Sequence, residues 1–150
     1  MNQKSWGIII ASGKGEKFTG DIDTSFLSLG SKPVLTYSLT AFEQCPDVDY
    51  LVLVAPKERI ESVRVMVQMF GGYKVKKIVA GTTHRQTSVL AGLRALKDED
   101  VTTVTIHDAS RPCVTPGQIA ETVKAAKRYG SGVLSTRIIE SIKEVDKGTS

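Results

Sequence analysis

Residues 6–15 read WGIIIASGKG, an apolar run that ends in two closely spaced glycines. An uninterrupted apolar run over residues 6–11 is typical of a parallel strand that is buried on both faces. The glycines that follow it allow backbone amides to approach an anion, and Lys14 or Lys17 can supply positive charge. This stretch therefore predicts a buried strand that leads into a loop suited to an anionic ligand. A glycine pair after a strand is, taken singly, often only a tight turn.

The alternation of strand and helix continues along the chain. Further strands are predicted at residues 50–55, 75–79, 101–106 and 132–136, and residues 138–145 are predicted to be extended or helical. Apolar residues at helical spacing predict helices over residues 35–42, 60–70, 83–96 and 115–130. The last two helices each begin with a capping box, with Thr83 and Thr115 as the expected N-caps. Residues 12–31 show no period and predict a long loop.

Strand and helix patterns at this spacing are typical of right-handed βαβ units, which build a parallel sheet with helices on both faces. The predicted fold class is therefore α/β. A chain of 150 residues with 41% hydrophobic residues is enough for one domain with a sizeable core. In such sheets ligands bind beyond the carboxyl ends of the strands. We therefore expect functional residues after positions 11, 79 and 106.

Composition narrows the classes of partner. The net charge of +4 is spread along the chain, which argues against a nucleic acid partner and leaves an anionic small substrate open. No segment approaches the roughly 20 apolar residues that cross a bilayer, so we expect no membrane partner and a cytoplasmic protein. Cys45 and Cys113 are too few and too isolated for a disulfide framework or a zinc site. We expect two buried free thiols.

Residues 81–88 (GTTHRQTS) lie at a predicted strand-to-helix turn. The free amides of a helix N-terminus attract phosphate or an oxygen-rich base edge. Arg85 and Ser88 lie three residues apart, on one face of the first helical turn. Taken alone, Arg85 is more typical of a surface cation and Ser88 of a packing or capping residue, and His84 is expected to face solvent.

Residues 107–112 (HDASRP) follow the strand at 101–106 directly. A carboxylate such as Asp108 at the carboxyl end of a strand is a suitable ligand for Mg²⁺ in a site that holds phosphates. Arg111 can hold a phosphate bidentately. The alternative is a structural Asp108–Arg111 pair that closes the loop, and His107 is expected to pack or hydrogen-bond locally.

Taken in order, these segments resemble the 2-C-methyl-D-erythritol 4-phosphate cytidylyltransferases of the non-mevalonate isoprenoid pathway. The family's A-A-G-x-G-x-R-M loop is similar to residues 11–18 (ASGKGEKF), and its G-K-P-V-L helix start to residues 31–35 (SKPVL). Its G-G-x-x-R-x-x-S-V-x-x-G-L stretch is similar to residues 81–93, its H-D-A-A-R-P signature to residues 107–112, and its D-T-I-K to residues 140–143 (ESIK). The resemblance covers essentially the whole chain.

The resemblance implies a three-layer α/β/α fold with a Rossmann-like, mostly parallel sheet of the nucleotide-diphospho-sugar transferase type. It implies that a cytidylyl group passes from CTP to 2-C-methyl-D-erythritol 4-phosphate, with release of pyrophosphate and assistance from Mg²⁺. Asp108 would bind the metal, Arg111 and Ser141 would touch the acceptor phosphate side, and Lys17 would be the catalytic cation. The implied nucleotide-binding residues are Ala11, Ser12, Gly13, Lys14, Gly15, Gly81, Thr82, Arg85, Ser88 and Asp108.

Three residues depart from the family pattern. Lys17 stands where the family has a catalytic Arg, which keeps the charge and loses the planar fork. Thr24 aligns with the family's catalytic Lys, which removes a cation from the triphosphate. Thr82 replaces the second glycine of the G-G pair, where its side chain can crowd the base. These departures predict poor turnover, with Lys14 as the candidate to replace the lost cation.

The family continues beyond this point through an extended arm and further strands. We therefore expect residues 1–150 to be a truncated single domain, with residues 137–150 as the start of an arm through which a homodimer forms. Another polyol phosphate, such as ribitol 5-phosphate, is an alternative acceptor, and a degenerate relative that binds nucleotide with little turnover is a second alternative. A nicotinamide-dependent oxidoreductase is disfavoured, because Phe18 stands where a dinucleotide fingerprint has its third glycine.

Overall fold

The computed structural model describes residues 4–12, 23–139 and 141. Within these ranges the chain forms, in order, β1 (Lys4–Ile10), β2 (Ser28–Leu29), β3 (Lys32–Pro33), α1 (Val34–Glu43), β4 (Tyr50–Ala55), α2 (Ile60–Met69), β5 (Val75–Ala80), α3 (Arg85–Arg94), β6 (Val101–Asp108) and α4 (Pro116–Tyr129). Short 3-10 helices cover Thr24–Phe26 and Lys57–Arg59.

The main sheet has the strand order β5-β4-β1-β6, and its strands are parallel. The chain moves outward from β1 to β4 and β5, and then returns through α3 to place β6 on the other side of β1. This confirms the predicted α/β class with a parallel sheet. The reversal of direction lies between β1 and β6, and ligands of such sheets bind at the strand ends beside a reversal of this kind.

Helices cover both faces of the sheet, as the sequence predicts. One face packs against α1, α2 and α4 through a core that includes Ile9, Leu53 and Phe42. The other face packs against α3 and the turn after it through Trp6 and Ile8. Because both faces of β1 and β4 are buried, both strands read as continuous apolar runs in the sequence.

The sequence explains where α4 begins and where it ends. Thr115 accepts a hydrogen bond from the Gln118 amide, and the Gln118 side chain accepts one from the Thr115 amide, which confirms the predicted capping box. The helix ends at Gly130, whose φ of 86° lies in the left-handed region that favours glycine.

Four expectations about local structure are wrong. Residues 132–136 are not a strand: they are exposed and have no regular secondary structure, because no neighbouring strand in the described chain pairs with them. Residues 12–31 are not wholly loop, since a 3-10 helix and an antiparallel β2–β3 pair lie within residues 23–33. Helix α3 takes His84 rather than Thr83 as its N-cap. Cys45 is buried as expected, whereas Cys113 is exposed.

No helix in the described ranges has the length and apolar character needed to span a membrane.

Candidate active site

Three segments leave the carboxyl ends of their strands while still hydrogen-bonded to the neighbouring strand. The Ala11 amide donates to Val54, the Gly81 amide to Ala55 and the Ala109 amide to Ile10, over 2.7 to 2.8 Å. These backbone bonds extend the sheet by one residue at each exit. The segments that the sequence marks as functional therefore start from fixed positions along one edge of the sheet, on either side of the reversal between β1 and β6.

Alternation along β6 sends its last two side chains to opposite faces. Asp108 is in register with Ile10, on the face that α3 covers, and His107 is in register with Ile9, on the face that α1 covers. Successive side chains of a strand point to opposite sides. The adjacent residues His107 and Asp108 therefore place an imidazole on the α1 side of the sheet and a carboxylate on the α3 side.

The Asp108 carboxylate lies between two guanidinium groups. Arg85 Nε donates to Asp108 Oδ1 over 2.7 Å, and Arg111 Nε lies 3.4 Å from Asp108 Oδ2. The Arg111 amide also donates to the Asp108 carbonyl oxygen over 3.0 Å, which closes a tight turn. The structural Asp108–Arg111 pair that the sequence left open is therefore present. Both guanidinium groups are more than half exposed, so they remain accessible to an anionic ligand.

A hydroxyl network joins the end of β1 to the start of α3. Ser12 Oγ donates to Ser88 Oγ over 2.8 Å, and the Thr82 amide donates to the same oxygen over 3.0 Å. Ser88 Oγ in turn donates to the Thr82 carbonyl over 3.1 Å, and its side chain is fully buried. In this structure Ser88 therefore fixes the spacing between two loops that the resemblance assigns to the nucleotide.

Gly81 permits this close approach. A Cβ atom at position 81 would lie 2.1 Å from Ser12 Oγ and 2.8 Å from Val54 Cγ1. A side chain at these distances would clash, so glycine is required where the segment after β5 packs against the segment after β1.

The Thr82 side chain turns towards its own helix. Thr82 Oγ1 accepts from the His84 amide over 3.2 Å and contacts the Thr87 hydroxyl. The hydroxyl of Thr82 therefore bonds to the backbone of His84, the N-cap of α3, which itself has no side-chain cap. His84 is exposed, as the sequence predicts.

His107 forms one local hydrogen bond, as expected, and a second contact with a distant residue of α1. Its Nε2 lies 3.2 Å from the Arg111 carbonyl oxygen and 3.1 Å from Ser38 Oγ, and its ring lies 5.4 Å from that of Phe42. Burial lowers the pKa of His107 below its usual value, while the hydrogen bond to the Arg111 carbonyl acts in the opposite direction. The imidazole is therefore neutral in the folded chain at neutral pH.

A cavity of about 730 Å³ opens beside this edge of the sheet. Arg85, His107, Asp108 and Arg111 are among its lining residues, together with residues of β6 and α4 and residues 132–134. A smaller cavity of about 410 Å³ lies at the end of α2 and the start of β5, at the amino end of the sheet. The larger cavity is the one that contains the charged groups described above.

The remaining predicted residues fall in several places. Gly13, Lys14, Gly15 and Lys17 lie outside the described residues. Ser141 is exposed and lies in no helix or strand. The sequence interpretation missed Ser38, whose signal is a hydroxyl within the apolar face of α1.

Comparison with known proteins agrees with the fold and the motifs. The family described as 2-C-methyl-D-erythritol 4-phosphate cytidylyltransferase (IspD) matches residues 6–149. A protein of that name from Clostridium tetani is 40% identical over 144 residues, which cover 96% of this chain and 58% of the relative. One from Dehalococcoides mccartyi is 37% identical over 145 residues, which cover 97% of this chain and 63% of the relative. The chain thus spans about three-fifths of the length of these relatives.

Solved structures give the same result. The 4-diphosphocytidyl-2C-methyl-D-erythritol synthase of Anaerococcus prevotii superposes with a TM-score of 0.70 at 25% identity, covering 84% of this chain and 52% of that one. A second synthase of that name superposes with a TM-score of 0.76 at 22% identity, covering 99% of this chain and 67% of that one, which supports the fold. With the family match extending over residues 6–149, the chain belongs to the 2-C-methyl-D-erythritol 4-phosphate cytidylyltransferase family.

Proposed function

We propose that this chain forms the nucleotide-binding part of an enzyme that transfers a cytidylyl group from CTP to 2-C-methyl-D-erythritol 4-phosphate and releases pyrophosphate. The observation that carries the proposal is the Asp108 carboxylate at the end of β6, 2.7 Å from Arg85 and 3.4 Å from Arg111. This cluster lies beside the reversal of strand order and opens into the larger cavity. One carboxylate among accessible cations suits a triphosphate that arrives with a divalent metal.

The chemistry is a displacement at phosphorus. An oxygen of the acceptor's phosphate attacks the α-phosphorus of CTP, a new P–O bond forms, and the bond to the pyrophosphate oxygen breaks. Such reactions depend on positioning and on positive charge near the developing negative charge. Arg85 and Arg111 supply fixed guanidinium groups at the carboxyl edge of the sheet, and we assign Lys17 as a further catalytic cation from its place in the family pattern.

The donor set at Asp108 fits Mg²⁺. This ion is commonly held by one or two carboxylates together with substrate phosphates. The described residues contain no cluster of three acidic, histidine or cysteine side chains, and we assign the ion to Asp108 together with the triphosphate. When bound, Mg²⁺ offsets charge on the phosphates and orients them. Rv0371c of Mycobacterium tuberculosis, which shares the fold at 16% identity with a TM-score of 0.65, is known in complex with manganese.

We assign the nucleotide to the two loops at the β1 exit and at the start of α3. The supporting contacts are the Ser12–Ser88 hydrogen bond and the close packing of Gly81 on Ser12, which keep the two loops together. The acceptor phosphate is assigned to Arg111 and Ser141. The residues proposed to contact CTP are Ala11, Ser12, Gly13, Lys14, Gly15, Gly81, Thr82, Arg85, Ser88 and Asp108.

Assembly and location follow the same family pattern. We propose a homodimer that forms through the arm beginning at residues 137–150, acting in the cytoplasm on small anionic substrates without nucleic acid or membrane. Sedimentation of the full-length protein tests the dimer, and deletion of the arm should leave a monomer.

The test of function is CTP-dependent release of pyrophosphate by the full-length protein. We expect release with Mg²⁺ and 2-C-methyl-D-erythritol 4-phosphate, and little with ribitol 5-phosphate. Release with ribitol 5-phosphate alone would reassign the acceptor. CTP binding without release with any acceptor would instead identify a nucleotide-binding relative, the outcome that Thr24 favours.

A further inference from the structure

Ser38 is a buried hydroxyl on the apolar face of α1. It follows Leu35 by three residues and precedes Leu39 and Phe42, which are core residues. The Ser38 side chain is fully buried. A buried hydroxyl in such a position is costly unless it finds hydrogen-bond partners.

Its partners all lie in the segment that carries the site. Ser38 Oγ lies 3.1 Å from His107 Nε2, 3.4 Å from the Ala109 carbonyl oxygen and 3.5 Å from the Arg111 carbonyl oxygen. His107 Nε2 is also 3.2 Å from the Arg111 carbonyl oxygen. One hydroxyl and one imidazole therefore contact the backbone of two residues, Ala109 and Arg111, in the turn that presents Asp108.

The positions of the protons follow from these partners. A carbonyl oxygen can only accept, so His107 must carry its proton on Nε2 to bond with Arg111. The Ser38 oxygen then accepts a share of the same N–H, and its own proton goes to the Ala109 carbonyl. The opposite tautomer would leave an imidazole lone pair facing the Arg111 carbonyl oxygen, with no proton between the two atoms.

We propose that Ser38 and His107 are positioning residues that hold the turn at residues 108–111 in the conformation that presents Asp108 to a divalent cation. The proposal rests on the proposed function in so far as Asp108 takes the cation. Groups that orient a metal ligand commonly change metal affinity by 10- to 100-fold when they are removed. Ser38 is 69 residues from His107 along the chain, so the two meet only through the packing of α1 on β6.

The test compares Ser38→Ala with Thr36→Val, its matched control. Thr36 is also fully buried on α1, but its hydroxyl donates to the Pro33 carbonyl over 2.7 Å rather than to the site. Three quantities are measured: the ¹⁵N signals of the His107 ring in the unmodified protein, the exchange rate of the Arg111 amide, and the affinity for Mn²⁺ in the presence of CTP.

We expect a pyrrole-like Nε2 and a pyridine-like Nδ1 in the unmodified protein. Ser38→Ala should make the Arg111 amide exchange about tenfold faster, the effect of one lost buried hydrogen bond, and weaken Mn²⁺ binding about tenfold. Thr36→Val should change neither quantity. A proton on Nδ1, or a Ser38→Ala variant that matches Thr36→Val in either measurement, would overturn the proposal.

Different results would reject the proposed function and the positioning role of Ser38 and His107. If the unmodified protein takes up no Mn²⁺ with CTP, the proposed function fails, and the exchange rate alone then decides whether Ser38 holds the turn. If Mn²⁺ binds the unmodified protein and Ser38→Ala equally well, the proposed function stands and the positioning role is rejected.

Discussion

Arg85 Nε lies 2.7 Å from Asp108 Oδ1, a hydrogen bond that joins the first residue of α3 to the last residue of β6. The Arg85 side chain is 58% exposed and that of Asp108 is 23% exposed, so the pair lies at the cavity mouth rather than in the core. One carboxylate oxygen is therefore occupied by a guanidinium before any ligand arrives. A metal ion at Asp108 must compete with Arg85 for that oxygen, whereas a triphosphate gains a nearby cation.

This competition predicts opposite effects for Arg85→Ala. Without nucleotide, Mn²⁺ should bind about fivefold more tightly, the scale of a lost exposed ion pair, while Mg²⁺·CTP should bind more weakly. Calorimetric titration measures both affinities. Arg64→Ala is the matched control, because Arg64 is 55% exposed and pairs with Glu61 at 3.5 Å away from the site. An Arg85→Ala variant that loses affinity for Mn²⁺ as well as for Mg²⁺·CTP would show that Arg85 supports the metal site instead.

The contact between Gly81 and Ser12 predicts a difference between two glycine substitutions. Gly81→Ala places a methyl group 2.1 Å from Ser12 Oγ and should lower the free energy of unfolding by about 2 kcal/mol. Gly117→Ala meets only Thr115 Oγ1 at 4.0 Å, within the first turn of α4, and should be neutral or raise stability by about 0.5 kcal/mol. Urea unfolding of both variants measures the difference. Equal stability would mean that Ser12 moves aside at no cost.

Much of the fold is predictable from local pattern alone. Strands β1 and β4 are continuous apolar runs because helices bury both their faces, and Thr115 caps α4 because its box is complete. The start of α3 is different, since the sequence predicts Thr83 as its N-cap and the structure has His84 there. Only the folded turn shows that the Thr82 hydroxyl accepts from the His84 amide and that the side chain of His84 does not cap the helix.

The sequence predicts which residue types form the candidate site, but not which side chains contact each other there. The place of Asp108 at the carboxyl end of a strand marks it as a candidate ligand, and glycine at position 81 indicates a close approach. The contacts of Arg85 with Asp108, and of Ser38 with His107, join residues that are far apart in the sequence. Such pairs depend on which helix covers which face of the sheet, and a single sequence does not record this.

The buried imidazole of His107 predicts a pH dependence of stability. Burial lowers its folded-state pKa below the ordinary value of 6.5, so the unfolded chain binds more protons between these two values. The contribution to stability is complete above pH 6.5 and decreases as the pH falls towards the lower, folded-state pKa. Urea midpoints at pH 7.5 and 5.5 measure the loss.

The chain contains two histidines, which supplies a control for that measurement. His107→Gln should show a smaller loss of stability between the two pH values than the unmodified protein. His84→Gln removes an exposed imidazole and should keep the full loss. A His107→Gln variant with an unchanged pH dependence would mean that other groups cause it.

Thr24 predicts a gain of activity by substitution. It begins the 3-10 helix at Thr24–Phe26 and replaces the lysine of the family pattern. In the full-length protein, Thr24→Lys should raise kcat about a hundredfold, because a fixed positive charge stabilises the negative charge that develops in the transition state. Ser28→Lys adds the same charge at an exposed position and should change kcat little. Ordinary turnover in the parent, unaltered by Thr24→Lys, would show that another cation fills the role, with Lys14 as the candidate.

The most direct measurement is a titration of the chain with CTP, with and without Mg²⁺, for the unmodified protein, Asp108→Asn and Asp47→Asn. Asp47 is a matched control, because its side chain is 27% exposed against 23% for Asp108 and pairs with Lys124 at 3.6 Å. We expect Mg²⁺ to strengthen CTP binding in the unmodified protein and in Asp47→Asn, to have no effect in Asp108→Asn, and ATP to bind more weakly throughout. Equal binding of CTP and ATP, or Mg²⁺-dependent binding that survives in Asp108→Asn, would contradict a cytidine nucleotide site built on Asp108.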